Sequence, residues 1–397
     1  MKIIYTSIIL LFYLMCTPPL EPTIERDLKI LPGAYNMHQY LPHLLGQRVG
    51  MVVNHTSMIN HTHLVDSLKS RGIEITKIFA PEHGYLGKAD AGQHIKDGKK
   101  DEAILISLYG KKKKPSGADL EDVDVLIFDI QDVGARFYTY ISTLHYVMES
   151  AVENGIPIIV LDRPNPNGFY VDGSVLDTAF SSFIGMHPVP VVYGLTIGEY
   201  ATMINGEGWL NHQLKADLKV IKCNNYDHTM TYDLPIKPSP NLPNLRSILL
   251  YPSLCYFEGT NLSIGRGTGK QFQVIGHPAL NDQYSFSFIP KSREGAKYPK
   301  HQDKSCYGKD FTSIDIEKLK GEASINLSYL ISFYQDFKKM NEPFFIANNF
   351  FNKLSGGILL KEQIMDEKNE NEIRASWQEG LDKYAVIRKK YLLYDDF

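Results

Sequence analysis

The sequence predicts an α/β protein: a Rossmann-like, doubly wound, mainly parallel sheet with a second, smaller α+β C-terminal domain. Three observations predict it. Strand and helix signals alternate through the first half of the chain, the pattern of a parallel sheet with crossover helices. The segments Phe79–Gly87 (FAPEHGYLG), Val123–Tyr140 (VDVLIFDIQDVGARFYTY) and Ile158–Pro166 (IIVLDRPNP) each begin as an apolar run and turn abruptly polar. Such runs read as strands buried on both faces, and their carboxyl ends are where open α/β sheets hold ligands. Around Val189 the alternation gives way to a loop-rich pattern. Polar groups this dense after a core strand are costly to position without partners, so three strand ends rich in carboxylates point to one shared site.

Taken in order, Lys2, the apolar stretch Ile3–Met15 and then Cys16 with the Pro-rich CTPPLEPTIE read as an export signal over residues 1–22, with Cys16 as candidate lipidated residue. The expectation is an exported protein, periplasmic or anchored to the membrane through Cys16. The stretch is too short to span a bilayer, and no later segment reaches about 18 apolar residues. A Rossmann-like catalytic domain is expected over residues 28–190. Its strands are Arg48–Asn54, Ile75–Ala80, Ala103–Leu108, Val123–Ile130 and Pro157–Leu161. Its helices are His63–Arg71, ending at Gly72, and Phe137–Asn154, closed by Gly155, a common residue after a helix C-terminus. Residues 191–397 are expected to form the smaller domain that closes the cleft. There Gly194–Gly206 is a helix with Thr196 as N-cap and Glu199 at capping-box spacing. Lys237–Pro243 is extended, and Leu249–Arg266 mixes short strands with Gly-rich turns. Helical patterns cover Asn326–Met340, Asn348–Lys353 and Asn371–Tyr391.

Composition bounds the function. The chain has 397 residues, 43% hydrophobic and 22% charged, with a net charge of −3. No basic field argues for nucleic acid; the one dense run, Lys111–Lys114, precedes Pro115–Ser116–Gly117 and reads as a solvated loop. With Cys16 lipidated, the scattered Cys223, Cys255 and Cys306 read as buried free thiols rather than a zinc or disulfide set. No cofactor is expected.

The candidate residues follow from the strand ends. Glu82, held between Pro81 and His83–Gly84, is preoriented, and burial beside apolar neighbours would raise its pKa and suit it to general acid work. His83 lacks the second histidine of a zincin helix. Asp129 and Asp132 flank Gln131, and paired carboxylates suit sugar chemistry or a divalent cation equally. Arg136 lies four residues beyond Asp132, placed either for a salt bridge with it or for an anionic substrate group. Tyr138 and Tyr140 line a pocket or pack in the core. Asp162, Arg163 and Asn165 sit in a loop fixed by two prolines, as ligand contacts or as a structural lock. In FEGTNLSIGRGTG (Phe257–Gly269), Glu258, Thr260, Asn261, Arg266 and Thr268 carry chemistry among glycines that allow close backbone approach. The stretch is neither a P-loop nor a dinucleotide fingerprint.

Together the segments PEHGYLG, FDIQDVGARFYTY, LDRPNP, GLTIGEY, PSPNLP, YPSLCYFEGTNLSIGRGTG, FNKLSGG and RKKYLLY resemble the exo-β-N-acetylmuramidases, a glycoside hydrolase family first catalogued as a domain of unknown function. The likeness runs in the family's order from about Ala34 to the C-terminus. It implies a cleft between a Rossmann-like domain and a smaller one, and release of N-acetylmuramic acid from non-reducing ends of peptidoglycan fragments. Glycosidases generally need two carboxyl groups, one protonated and one ionised. Glu82 is the expected acid, with Asp129, Glu258 or Asp162 as partner. Arg136 or Arg266 suits the lactyl carboxylate that distinguishes this sugar. The expected substrate contacts are Asn54, His83, Gln131, Arg136, Tyr140, Asp162, Arg163, Asn165, Asn261 and Arg266. Two other classes fit the same residues: a non-catalytic peptidoglycan-binding lipoprotein, and a metal-dependent hydrolase using Asp129, Asp132 and His83. Fold alone does not separate them.

Overall fold

The core strand read from the sequence as Val123–Ile130 forms over Val125–Asp129 and is buried at every position, as a strand covered on both faces must be. It stands inside the principal sheet, next to its central strand. The structure, a computed structural model, describes residues 29–90 and 97–397; the export signal and Cys16 lie outside the described residues. Among these, the sheet has seven strands: β1 (Arg48–Val53), β2 (Glu74–Ala80), β3 (Gly98–Lys100), β4 (Ala103–Ser107), β5 (Val125–Asp129), β6 (Ile158–Leu161) and β7 (Leu218–Ile221), in the order β3-β4-β2-β1-β5-β6-β7. Every neighbouring pair is parallel except the β3/β4 edge hairpin. With β3 set aside, the parallel strands run 3-2-1-4-5-6, the doubly wound order, and the direction of winding reverses between β1 and β5. The carboxyl ends of β1, β2 and β5 therefore share one edge, and on that edge stand Asn54, Glu82 and Gln131.

The helices α1 (Leu64–Lys69), α2 (Tyr140–Glu153) and α3 (Ile197–Gly206) cover the sheet. The α3 capping box forms as its sequence spells it: Glu199 N–H donates to Thr196 Oγ1 at 3.2 Å and Thr196 N–H to Glu199 Oε2 at 2.8 Å. β7 pairs with β6, so the sheet-bearing body continues past the expected boundary at residue 190. Leu218–Ile221 is four residues long, includes Lys219 and buries only Ile221, too weak a signal to assign.

The C-terminal part holds α4 (Leu245–Leu254), α5 (Ser328–Met340), α6 (Phe350–Ser355), α7 (Glu370–Ala375) and α8 (Gln378–Arg388). They surround an antiparallel sheet of β8 (Val274–His277), β9 (Phe286–Phe288) and β10 (Cys306–Asp310), ordered β8-β10-β9. Two expectations are corrected here. Leu249–Leu254 is helical rather than stranded, because Asn244 caps α4 and Ile248, Leu250, Tyr251 and Leu254 bury against the core. The single helix expected over Asn371–Tyr391 is two, broken at Ser376–Trp377. Cys223, Cys255 and Cys306 are free and buried.

One continuous apolar cluster joins the two parts. It runs from Val52, Phe79 and Phe128 through Tyr193 and Tyr256 to Phe333 and Tyr384, while a second cluster lies on the opposite face of the sheet. The smaller domain is thus packed on the sheet as part of its core, which fixes its loops relative to the strand ends.

Candidate active site

Glu82 follows β2 by two residues in a turn built for it. His83 and Gly84 both adopt left-handed backbone, with φ of +67° and +74°, as does Gly87 at +66°. A Cβ at Gly87 would stand 1.9 Å from His55 Nδ1, so the turn closes only on glycine. His83 Nδ1 bonds the carbonyl of Ala89 at 2.7 Å. A carbonyl only accepts, so Nδ1 carries the hydrogen. Burial pushes the His83 pKa below the ordinary histidine value, against the opposing pull of Glu82, which keeps the ring neutral. Thr139, in the turn just before α2, donates Oγ1–H to Glu82 Oε2 at 2.7 Å. Behind it, Asn54 Nδ2 donates to Tyr140 OH at 3.0 Å, and that hydroxyl lies 3.5 Å from the Glu82 and Pro238 carbonyls. Burial pushes the Tyr140 phenol well above its usual pKa, so it remains a neutral donor.

The second carboxylate comes from the smaller domain. The last turn of α4 runs into the tight helical turn Cys255–Gly259, which presents Glu258. Arg266 Nε donates to Glu258 Oε1 at 2.5 Å, with the guanidinium over the Phe272 ring at 5.2 Å. Burial opposes charge on Arg266, but Glu258 outweighs it and holds the guanidinium cationic. Glu82, Thr139, Asn241, Tyr251, Glu258 and Arg266 line one cavity of about 290 Å³. An adjoining cavity of about 330 Å³ shares Glu258 and Arg266 in its wall.

Of the residues expected at the site, the structure brings Glu82, His83, Glu258 and Arg266 to this cavity, with Tyr140 and Asn54 directly behind it. The others are placed elsewhere. Asp129 is fully buried and held through both oxygens by Arg163, at 2.6 Å to Nε and 2.9 Å to Nη2. Asp162 receives Thr196 Oγ1, Gly198 N–H, Tyr394 OH and Arg163 N–H, anchoring α3 and the C-terminal tail to the end of β6. Arg136 makes neither expected contact. Its fork donates to the carbonyls of Ser174 and Val189 at 2.7 Å and of Leu354 at 3.1 Å, and burial lowers its pKa to about 10. Asp132 is held by Tyr193 and Gly134 instead. Asn165 braces Leu195 and Asn167, and Asn261 ties the Glu258 loop to Pro343. Gln131 bridges the Asp132 and Pro164 carbonyls and, with Arg163, borders a roomier cavity of about 630 Å³ at the β1/β5 reversal. That cavity has more volume, but the facing carboxylates are at the smaller one. Asp129, Asp132 and His83 each have different partners, and among the described residues no three His, Cys, Asp or Glu side chains gather as a metal cluster.

Sequence reasoning passed over Thr139, Asn241 and, in the adjoining cavity, Lys300. Thr139 and Asn241 lie inside motifs already singled out, FYTY and PSPNLP, and were the findable ones. Lys300 carries no motif signal.

Residues 49–246 match the family model described as Exo-beta-N-acetylmuramidase NamZ, N-terminal, and residues 249–394 match its C-terminal counterpart. Over 382 residues the chain is 37% identical to the peptidoglycan beta-N-acetylmuramidase NamZ of Bacillus subtilis (strain 168), covering 89% of each. A crystal structure of a DUF1343 family protein from Bacteroides fragilis superposes with a TM-score of 0.85 at 41% identity, covering 93% of this chain and 100% of that one. A second such protein from the same organism gives 0.75 at 28% identity, over 92% and 99%. The chain therefore belongs to the exo-β-N-acetylmuramidase NamZ family.

Proposed function

We propose that the chain is an exo-acting glycosidase that releases N-acetylmuramic acid from the non-reducing ends of peptidoglycan-derived muramyl oligosaccharides, with Glu82 as general acid and Glu258 as the ionised partner. The observation that carries this is the meeting of the two carboxylates, one from each domain, on a single cavity of about 290 Å³. That volume is at the small end of the range for ligand pockets and suits one terminal sugar rather than a through-running glycan.

The roles follow from the partners. Thr139 donates to one oxygen of Glu82, which leaves the other to carry a proton and give it to the glycosidic oxygen as the bond breaks. Glu258, paired with Arg266, is the carboxylate offered to the positive charge that develops on the sugar. The tyrosines and phenylalanines of the pocket wall give the sugar's apolar face a surface to rest on. The planar fork of Arg266, in the cavity wall, suits the lactyl carboxylate.

The test is cleavage of a chromogenic β-N-acetylmuramide beside the matching β-N-acetylglucosaminide, each with and without EDTA. Cleavage of the muramide in preference to the glucosaminide, unchanged by chelator, is the expected result. Loss of cleavage on chelation would transfer the chemistry to a metal ion. A folded protein that binds the glycan and cleaves neither substrate would be a binding lipoprotein.

A further inference from the structure

The adjoining cavity holds more positive charge than the pair Glu258–Arg266 requires. Its charged lining comprises Asp90, Glu258, Arg266, Lys297 and Lys300. Asp90 accepts the main-chain N–H of Lys297 at 2.8 Å, and Glu258 is taken by Arg266. Lys300 is half-buried, and its ammonium donates to the carbonyl of Thr260. Among the described residues it has no carboxylate at ion-pair distance, whereas Lys270, on the far side of the same loop system, pairs with Asp310 at 2.7 Å. Burial lowers the pKa of Lys300 and Arg266 lowers it further, while Glu258 acts in the opposite direction. A cation kept part-way out of water with only a carbonyl partner gains from an anionic ligand.

The fold holds Lys300 there deliberately close to Arg266. Gly267 has φ of +80°, and a Cβ on it would stand 2.7 Å from Pro299 Cγ and 2.6 Å from the Lys291 carbonyl. Only glycine lets the Pro299–Lys300 loop lie against the segment that carries Arg266. His301 Nε2 bonds the Asn261 carbonyl at 2.6 Å and pins the loop from its other end.

We propose that Lys300, acting with Arg266, receives the lactyl carboxylate of N-acetylmuramic acid and sets the preference for that sugar over its neutral sister. This rests on the muramidase function and names the residue that selects for its substrate. Arg266 is shared by both cavities, so a sugar ring in the first places its lactyl branch toward the second, where Lys300 supplies a point charge beside the planar fork.

The experiment compares the β-N-acetylmuramide with its lactamide, in which the carboxylate is replaced by a neutral amide, in wild type, Lys300→Met and Lys300→Arg. Lost pairing to a charged group predicts that the carboxylate-over-amide ratio of kcat/KM falls about tenfold or more in Lys300→Met and is largely kept in Lys300→Arg. An unchanged ratio, or equal loss on both substrates, overturns the assignment and makes Lys300 a structural residue. Calorimetric binding of free N-acetylmuramic acid and its lactamide reads the same ratio without turnover. If the wild type cleaves neither substrate, the muramidase function fails, and the binding ratio still decides the role of Lys300.

Discussion

Single residues explain both what the sequence revealed about the site and what it concealed. Glu82 is legible as a cavity residue because PEHG sets a carboxylate in a tight turn directly after a buried strand, between Pro81 and the left-handed His83 and Gly84. Asp129, Asp162, Arg163 and Arg136 gave the same signal, polar groups packed at strand ends, for a different reason: they bond one another and the backbone to hold loops in place. A sequence does not distinguish a buried polar lock from a ligand site, because both answer the cost of burying polar groups. Asp132 turns this into a prediction. One oxygen is held by Tyr193 OH at 2.5 Å and Gly134 N–H at 2.8 Å, the other has no partner, and burial pushes its pKa up to about 6. In an unfolded chain it titrates at about 3.9. Between those values the folded protein holds a proton that the unfolded chain has released. The stabilisation is therefore full below about pH 4 and lost as the pH rises through about 6. Asp132→Asn removes this slope. Urea unfolding at about pH 4 and pH 7 should show the variant's stability difference between the two conditions changed by about 3 kcal/mol relative to wild type. Parallel slopes would mean that Asp132 does not titrate in this range.

At the scale of elements, strands and helices with a complete local signal were readable. β5 is an unbroken apolar run, and α3 begins with Thr196 and Glu199 at capping-box spacing. α4 was not readable. Its Ile248 and Tyr251 lean toward a strand and its Pro252 toward a turn, and its cap is Asn244 with Ser247, a pair without the usual acidic third residue. In the folded chain Ser247 N–H donates to Asn244 Oδ1 at 2.9 Å, and the helix then delivers Glu258 directly from its C-terminal end. Asn244→Ala should cost about 1 kcal/mol of stability, the ordinary worth of such a cap, as a lowered urea midpoint at unchanged slope. A midpoint equal to wild type would show that tertiary packing alone holds α4.

For the whole molecule, alternation of signals foretold a parallel sheet but not which strands are neighbours, and β7 lay beyond the expected domain boundary. The contacts that finish the site join residues far apart in the chain. Tyr384 OH donates to the Tyr193 carbonyl, Arg374 meets both oxygens of Asp172, and Tyr394 OH reaches Asp162. These clamps seat the smaller domain on the sheet, so that Glu258 and Arg266 face Glu82 across the cavity. No local pattern encodes such a meeting, so the sequence alone offers Asp129, Glu258 and Asp162 as equal candidates for the partner of Glu82. In the proposed reaction Glu82 gives a proton to the departing sugar. The most direct measurement compares Glu82→Gln with wild type on two substrates: N-acetylmuramic acid β-linked to N-acetylglucosamine, a poor leaving group, and an activated aryl β-N-acetylmuramide, which leaves with little help. Proton donation by Glu82 predicts a loss of about 10²–10⁴ in kcat on the disaccharide and a much smaller loss on the aryl glycoside, in a variant that melts as wild type does. Equal losses on both, or none on the disaccharide, would contradict it.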